Sequence, residues 1–229
     1  MTTDNLIGIT ERGDPAFDLN WIPWVSKGRP AIIISKNPVA ICKYLAQMND
    51  INVIVHVTIT GYGGTDLEPG VIKSEAAFDG YLRLIGLLGH NRVVLRVDPI
   101  IPTAAGHWVA EQLIKQAITR VRISFLDMYD HVRERFIRED MDVLKYGFHA
   151  PLVLRHKIWS ELGRPEICGE PDLPSTGCIS DLDCQILGVS PIDILFKQRT
   201  TCACKGNKRE LLSSQKQCKH GCLYCYWKN

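Results

Sequence analysis

Three cysteines near the end of the chain, Cys218, Cys222 and Cys225, are spaced CxxxCxxC, with Tyr224 directly before the third. Three thiolates on one tight loop can hold three irons of a 4Fe-4S cube. The fourth iron then keeps an open coordination position, which is what makes a metal site reactive rather than structural. The same spacing also suits part of a zinc knuckle, or a cluster that only carries electrons. Tyr224, Tyr226 and Trp227 surround the loop. Their rings are suited to shielding a cluster and to stacking on adenine or another nucleobase.

The remaining cysteines are crowded close by. The chain has nine, and all but Cys42 lie between Cys168 and Cys225. Cys168, Cys178, Cys202 and Cys204 make a set of four thiolates, enough for an auxiliary 4Fe-4S cluster or a zinc ion. Against this, Cys168 and the nearby Cys184 can be small buried hydrophobes, leaving only the CxC pair special. Cys42 shares a predicted helix with Ala40, Ile41 and Leu45 and belongs in the core. The opening residues, MTTDNLIGITERGD, lack the basic start and apolar stretch of a signal peptide. The expectation is a cytoplasmic protein in a reducing compartment, where such cysteines serve metal or redox chemistry before disulfides.

Stepping along the chain, short β-branched runs alternate with helical patterns. Strands are predicted at Leu6–Thr10, Ala31–Ser35, Ile51–Thr60, Arg92–Val97, Val121–Leu126 and Pro165–Cys168. Helices are predicted at Pro15–Lys27, Pro38–Met48, Ser74–Leu88, 105–119, 128–146 and 151–162, with Asp14, Asn37 and Ser74 as caps. Six β–α units in a row imply an α/β fold with a parallel sheet covered by helices, either a partial (βα)6 TIM-like barrel or an open sheet. In both, ligands bind at the C-terminal strand ends. Residues 1–165 are assigned to this body. Residues 166–229 are assigned to a cysteine-rich iron–sulfur segment that packs on its mouth and is too polar to bury much apolar area.

Composition bounds the rest. At 229 residues, 45% hydrophobic and 23% charged, the chain is an ordinary globular protein and not a disordered one. It has no apolar run near the ~20 residues of a membrane span, so no membrane partner is expected. Net charge is only +2, yet Lys197, Arg199, Lys205, Lys208, Arg209, Lys216, Lys219 and Lys228 face a single acid, Glu210, in the last stretch. A basic end on an acidic body is a candidate polyanion site, and DNA is the partner it suggests. The bland counterpart is charge balance against an anionic thiolate-held cluster.

The CxxxCxxC motif resembles the signature of the radical S-adenosylmethionine (radical SAM) enzymes. Those enzymes usually carry it after the first strand. Here that loop, Thr10–Pro15, has no cysteine and the motif lies at the C-terminus. Over nearly its full length the chain is similar to a family of uncharacterised proteins with this layout. The matching pieces are TERGDPAF (Thr10–Phe17), SKNP (Ser35–Pro38), TITGYG (Thr58–Gly63), LEP (Leu67–Pro69), RVDPII (Arg96–Ile101), CAC (Cys202–Cys204) and CKHGCLYCY (Cys218–Tyr226). That family's fold is similar to spore photoproduct lyase, a radical SAM enzyme that repairs a thymine dimer in DNA. The resemblance implies a 4Fe-4S cluster that binds S-adenosyl-L-methionine, a 5′-deoxyadenosyl radical that abstracts hydrogen, and a one-electron reductant such as a flavodoxin or ferredoxin. The substrate it suggests is a DNA pyrimidine, a modified thymidine undergoing isomerisation, other modification or repair. Phage DNA hypermodification, in the host cytoplasm, is one such setting. A zinc-stabilised nucleic-acid-binding protein and a small-molecule radical SAM enzyme stay open as alternatives.

The strand ends supply the other candidates. Arg12, Tyr62, Arg96 and Asp98 are expected at the chemistry. Arg96 and Asp98 interrupt an apolar run, VVLRVDPII, and charges there are expensive to bury unless paired. Lys36, Asn37, Thr60, Gly61 and Tyr224 are expected to bind the cofactor, with Glu68 suited to its amine. Asp127 ends the fifth predicted strand and could serve as Arg96 and Asp98 do. Bland readings accompany these: surface charge for Glu11 and Arg12, a helix cap for Asn37, a turn at Gly63-Gly64. His56 and His107 have no diagnostic spacing and are read as structural.

Overall fold

The computed structural model of the protein describes residues 5–141, 145–193, 201–213 and 218–227. Its strands are β1 (Leu6–Ile9), β2 (Ala31–Ser35), β3 (Val53–Thr58), β4 (Val93–Ile100), β5 (Arg120–Phe125), β6 (Glu166–Ile167) and β7 (Asn207–Glu210). All pair in parallel, in the order β6-β5-β4-β3-β2-β1-β7, and the sheet curls into a half-barrel. The helices are α1 (Ile22–Val25), α2 (Pro38–Leu45), α3 (Ser74–Leu88), α4 (Ala104–Lys115), α5 (Asp130–Arg138), α6 (Leu152–Glu161) and α7 (Asp181–Leu187).

The sequence makes this sheet because its strands are short β-branched runs that are apolar on both faces; all six residues of β3 are buried. Alternate residues face opposite ways. Ile33, Val55, Val57 and Leu95 join Leu45, Tyr81, Leu84 and Leu113 of the outer helices in the main core. Ile7, Ile9, Ile32, Ile54 and Val94 form a second core with Cys178, Ile179, Cys184 and Leu187. Each fully buried isoleucine contributes about 2 kcal/mol of transfer free energy. The second core fixes the late, cysteine-rich segment inside the curve of the sheet.

The expected alternation of strands and helices holds, with corrections. The sheet has seven strands rather than six. β7 reads NKRE and pairs with β1 from Leu6↔Asn207 to Ile9↔Glu210. It is a short, charged edge strand without the apolar alternation that marks a strand in sequence. The helix expected over Pro15–Lys27 is only a 3-10 turn at Leu19–Trp21 followed by α1. Its expected cap, Asp14, keeps a cap-like bond, Oδ1 accepting from the Ala16 amide at 2.9 Å, while the same carboxylate reaches across the fold: Oδ1 also accepts from Ser35 Oγ at 2.7 Å and Oδ2 from the Lys36 amide at 2.7 Å. Ser74 is the first helical residue of α3, and the cap position falls on Lys73. α5 ends at Arg138 rather than near 146. α7, with a Ser180–Asp183 capping box, lies in the 166–229 segment, where no helix is predicted from the sequence. Among the described residues no helix is long and apolar enough to cross a membrane.

Candidate functional site

Along the inner face the strands change character from floor to mouth. Strand β4 presents Val94, then Arg96, then Asp98 at two-residue spacing, and β3 presents Ile54, His56 and Thr58. At mid-depth the fully buried Arg122 of β5 bonds Asp183 of α7 (Nη2 to Oδ2 3.0 Å), Glu166 and the Cys178 carbonyl (2.8 Å). Arg120 pairs with the same two acids, at 3.1 Å to Glu166 and 2.6 Å to Asp183. This network, with His56 Nε2 3.3 Å from Arg122 Nη1, forms a floor that anchors α7, although Arg120 Nε and His56 Nδ1 find no hydrogen-bond partner among the described residues. His56 is thus structural, as expected.

At the mouth, residues 218–227 lie across the strand ends and are tied down from several sides. His220 sits between Asp14 and the 67–70 turn: Nε2 is 2.8 Å from Asp14 Oδ2 and Nδ1 is 3.1 Å from the Gly70 carbonyl oxygen. The Gly70 amide donates to the His220 carbonyl at 2.9 Å, and the Leu223 amide to Leu67 at 3.0 Å. A Cβ on Gly70 would lie 2.4 Å from the Lys219 carbonyl oxygen, so only glycine lets the two backbones meet. Arg135 of α5 donates to the carbonyls of Cys225 (2.8 Å) and Trp227 (3.0 Å). Lys36 Nζ donates to Glu68 Oε1 at 2.7 Å and Tyr224 Oη at 2.9 Å. Burial opposes the ammonium charge, but Glu68, Cys222 and Asp98 beside it more than offset this and hold its pKa above the ordinary range. Burial pushes the Cys222 thiol up to about 12.

All seven cysteines singled out by spacing line one cavity of about 270 Å³ at this mouth. Its wall also takes Asp14, Lys36, Arg96, Asp98, Glu170 and Tyr224. Cys168 Sγ lies 3.1 Å from Cys178 Sγ, and the Cys178 amide donates to Cys204 Sγ at 3.1 Å. Cys202 accepts from the Cys204 thiol and from the Cys204 amide, and its pKa falls to about 6. Cys184 is different: it is fully buried in the second core, the small-hydrophobe role. Cys42 packs on the main core from α2, as expected.

Other candidates separate. Arg96 and Asp98 form an ion pair, and Ser124 donates to Asp98. They satisfy the pairing demanded of charges in an apolar strand, at the cavity wall. Arg12 is exposed, and neither it nor Asn37, Thr60, Gly61 or Tyr62 is among the cavity-lining residues. Asn37 caps α2 by accepting from the Ala40 amide at 3.2 Å. Thr60 donates to Glu68 Oε2 at 2.7 Å, so it acts on Lys36 through Glu68. Gly61 makes a close approach, but to a helix: its Cβ would fall 2.4 Å from Val109 Cγ1 of α4. Burial raises the Tyr62 hydroxyl to about 12. Glu68 Oε1 accepts from the Lys36 ammonium at 2.7 Å. Asp127 lines the cavity and pairs with His149 at 2.7 Å.

Sequence reasoning passed over His220 and Arg135. His220 lies inside the cysteine motif, which is the signal available for it; Arg135 carries none. Of the basic tail, Lys208 Nζ is 2.8 Å from Glu11, Lys205 is 2.7 Å from Asp193, and Arg209 stacks 5.2 Å over the Trp24 ring. Those three charges serve the fold, and Lys219 is exposed. Lys197, Arg199, Lys216 and Lys228 lie outside the described residues.

The family model described as a domain of unknown function, DUF1848, matches residues 28–227, and the chain belongs to that family. No curated protein and no solved structure matches the chain.

Proposed function

We propose that this protein is a radical SAM enzyme whose Cys218, Cys222 and Cys225 hold a 4Fe-4S cluster at the mouth of the half-barrel. The observation that carries the reading is the docking of that loop, across more than 140 residues of sequence, onto the ends of β1, β2 and the 67–70 turn through Asp14, Lys36 and Gly70. The CxxxCxxC motif thereby reaches the strand-end position that the first βα loop would otherwise supply.

The residues fit such a group. The donors are soft thiols on one anchored loop facing a cavity, and the Lys36 ammonium lies near Cys222 to offset negative charge. Among the described residues no three His, Cys, Asp or Glu side chains are arranged around a single ion. A cluster takes its ligands on separate irons and does not ask three sulfurs to meet at one point. When bound, the cluster would supply the electron that cleaves S-adenosyl-L-methionine to the 5′-deoxyadenosyl radical. The chain's own part is positional. Asp14, His220 and Arg135 fix the loop, Glu68 orients Lys36, and Tyr224 buries its ring behind the thiols. Arg96 and Asp98 offer a paired cation and anion at the wall for polar groups of cofactor or substrate.

The substrate we assign is a pyrimidine of DNA. Tyr129, Tyr226 and Trp227 line the cavity with successive ring centroids 6.4 and 5.2 Å apart, a surface on which a flat base can stack. A flavodoxin or ferredoxin is the expected electron donor.

The test is anaerobic reconstitution with iron and sulfide, then dithionite and S-adenosyl-L-methionine, assayed for 5′-deoxyadenosine. Product from the natural chain and none from Cys222→Ala supports the reading. A colourless, zinc-loaded chain without product overturns it in favour of a zinc-stabilised module. DNA binding that does not weaken between about 50 and 200 mM salt would remove the substrate assignment alone.

A further inference from the structure

We infer that Cys168, Cys178, Cys202 and Cys204 form a second metal centre, separate from the C-terminal loop. The four residues come from three stretches of chain: the residue after β6, the turn before α7, and the stretch leading into β7. The fold brings them into a continuous string. Cys168 Sγ is 3.1 Å from Cys178 Sγ, Cys178 N–H bonds Cys204 Sγ at 3.1 Å, and the Cys204 and Cys202 thiols are hydrogen-bonded to each other.

That convergence is built into the backbone. Gly177 adopts φ +71°, and a Cβ there would lie 2.5 Å from the Cys204 amide nitrogen. The segments bearing Cys178 and Cys204 therefore touch at a point only glycine allows. The Lys205 amide, bonded to the Ile179 carbonyl at 2.8 Å, locks the same approach.

The surroundings suit an anionic centre. Arg96 Nη1 is 3.8 Å from Cys178 Sγ, Arg122 holds the Cys178 carbonyl, and Lys208 lies close to Cys204 and Cys178. Four thiolates around a divalent ion or a cluster core leave a net negative charge, which these cations offset. A disulfide explains less, since bridging Cys168 and Cys178 leaves the CxC pair without a role. Among the described residues no three side chains already surround an ion. Rotation of the cysteine side chains about Cα–Cβ is the movement that turns the string into a shell. Zinc and an iron–sulfur cluster share this ligand chemistry.

The inference stands apart from the radical SAM reading, and its test does too. The full chain is purified without oxygen, and iron, acid-labile sulfide and zinc are counted per chain. The same is done for a variant with Cys218, Cys222 and Cys225 all changed to Ala. That variant is expected to keep one centre, seen as about four irons with sulfide or about one zinc. Adding Cys178→Ser and Cys204→Ser is expected to remove it, with circular dichroism reporting whether the fold survives. If the serine variant does not fold, the alanine variant still decides, by keeping a centre after the three C-terminal thiols are gone. An alanine variant that folds but binds neither metal, with all four thiols open to a thiol reagent or with Cys168 and Cys178 joined as a disulfide, overturns the proposal.

Discussion

The floor and the mouth of the half-barrel are built from similar groups, yet they are organised in opposite ways. On the floor, Arg120, Arg122, Glu166 and Asp183 pair with one another, and the product of their contacts is the seating of α7. At the mouth, Asp14, Lys36, Glu68 and His220 also pair, but what they fix is a loop of three thiols at an open cavity. Buried charge therefore does not by itself mark function in this molecule. The distinguishing feature is what the network holds in place: a packed helix on the floor, a loop of thiols facing a cavity at the mouth.

This contrast predicts separable losses. Cys222→Ala should abolish cleavage of S-adenosyl-L-methionine while moving the urea midpoint little, because the loop's anchors are backbone groups, Asp14 and Arg135. Arg122→Met should do the reverse. Removing one partner from a buried pair costs about 3–5 kcal/mol, so a folding titration should show a large loss while cleavage of S-adenosyl-L-methionine per folded chain is retained. A large stability loss from Cys222→Ala in the metal-free chain would erase the distinction.

Asp14→Asn is the intermediate case. The amide keeps the size but has one acceptor oxygen where the carboxylate has two, so it can keep either Ser35 or the Lys36 amide as a donor and loses the charge facing His220. The expected stability cost is about 1–2 kcal/mol, with a several-fold drop in the cluster retained after gel filtration. Cluster retention equal to the natural chain would mean that the Asp14–His220 contact does not hold the loop.

How much of this was legible in sequence follows from the same contrast. The β-branched runs gave five strands nearly in place, because a strand buried on both faces must be apolar along its length. The sixth, β6, keeps only two residues of the expected run. The charged edge strand β7 was hidden, since its residues are polar and its partner β1 lies at the other end of the chain; α7, DLDCQIL, carried a readable Ser180–Asp183 capping pair that was passed over. At the site, cysteines were legible because spacing alone restricts what thiols can do. Arg96 and Asp98 were legible because a charge within an apolar run demands a partner. Arg12, Asn37 and Gly61 lie off the cavity wall for one reason. Sequence says which strand end a residue follows, but not whether its side chain turns toward the cavity, a helix cap or a neighbouring helix. Asp14 shows the converse, a cap-like residue drawn into contacts 21 and 206 positions away.

The finest separation between the regions is in acid response. Burial and the Arg122 charge hold His56 on the floor well below its ordinary pKa. The unfolded chain then binds a proton that the folded chain refuses, so this histidine removes stability as pH falls below about 6.5. Glu170, at the cavity wall, is raised by burial to about 7. It takes a proton in the folded chain first, so it adds stability as pH falls from about 7 toward 4.3. The two effects oppose each other over the same range, each bounded at about 1.4 kcal/mol per pH unit, and the natural chain should show only their difference. His56→Gln should therefore make the chain relatively more stable at pH 5 than at pH 7, while Glu170→Gln should make it relatively less so. Urea midpoints at the two pH values give both signs. Slopes that shift in the same direction in the two variants would show that floor and mouth do not titrate as distinct environments.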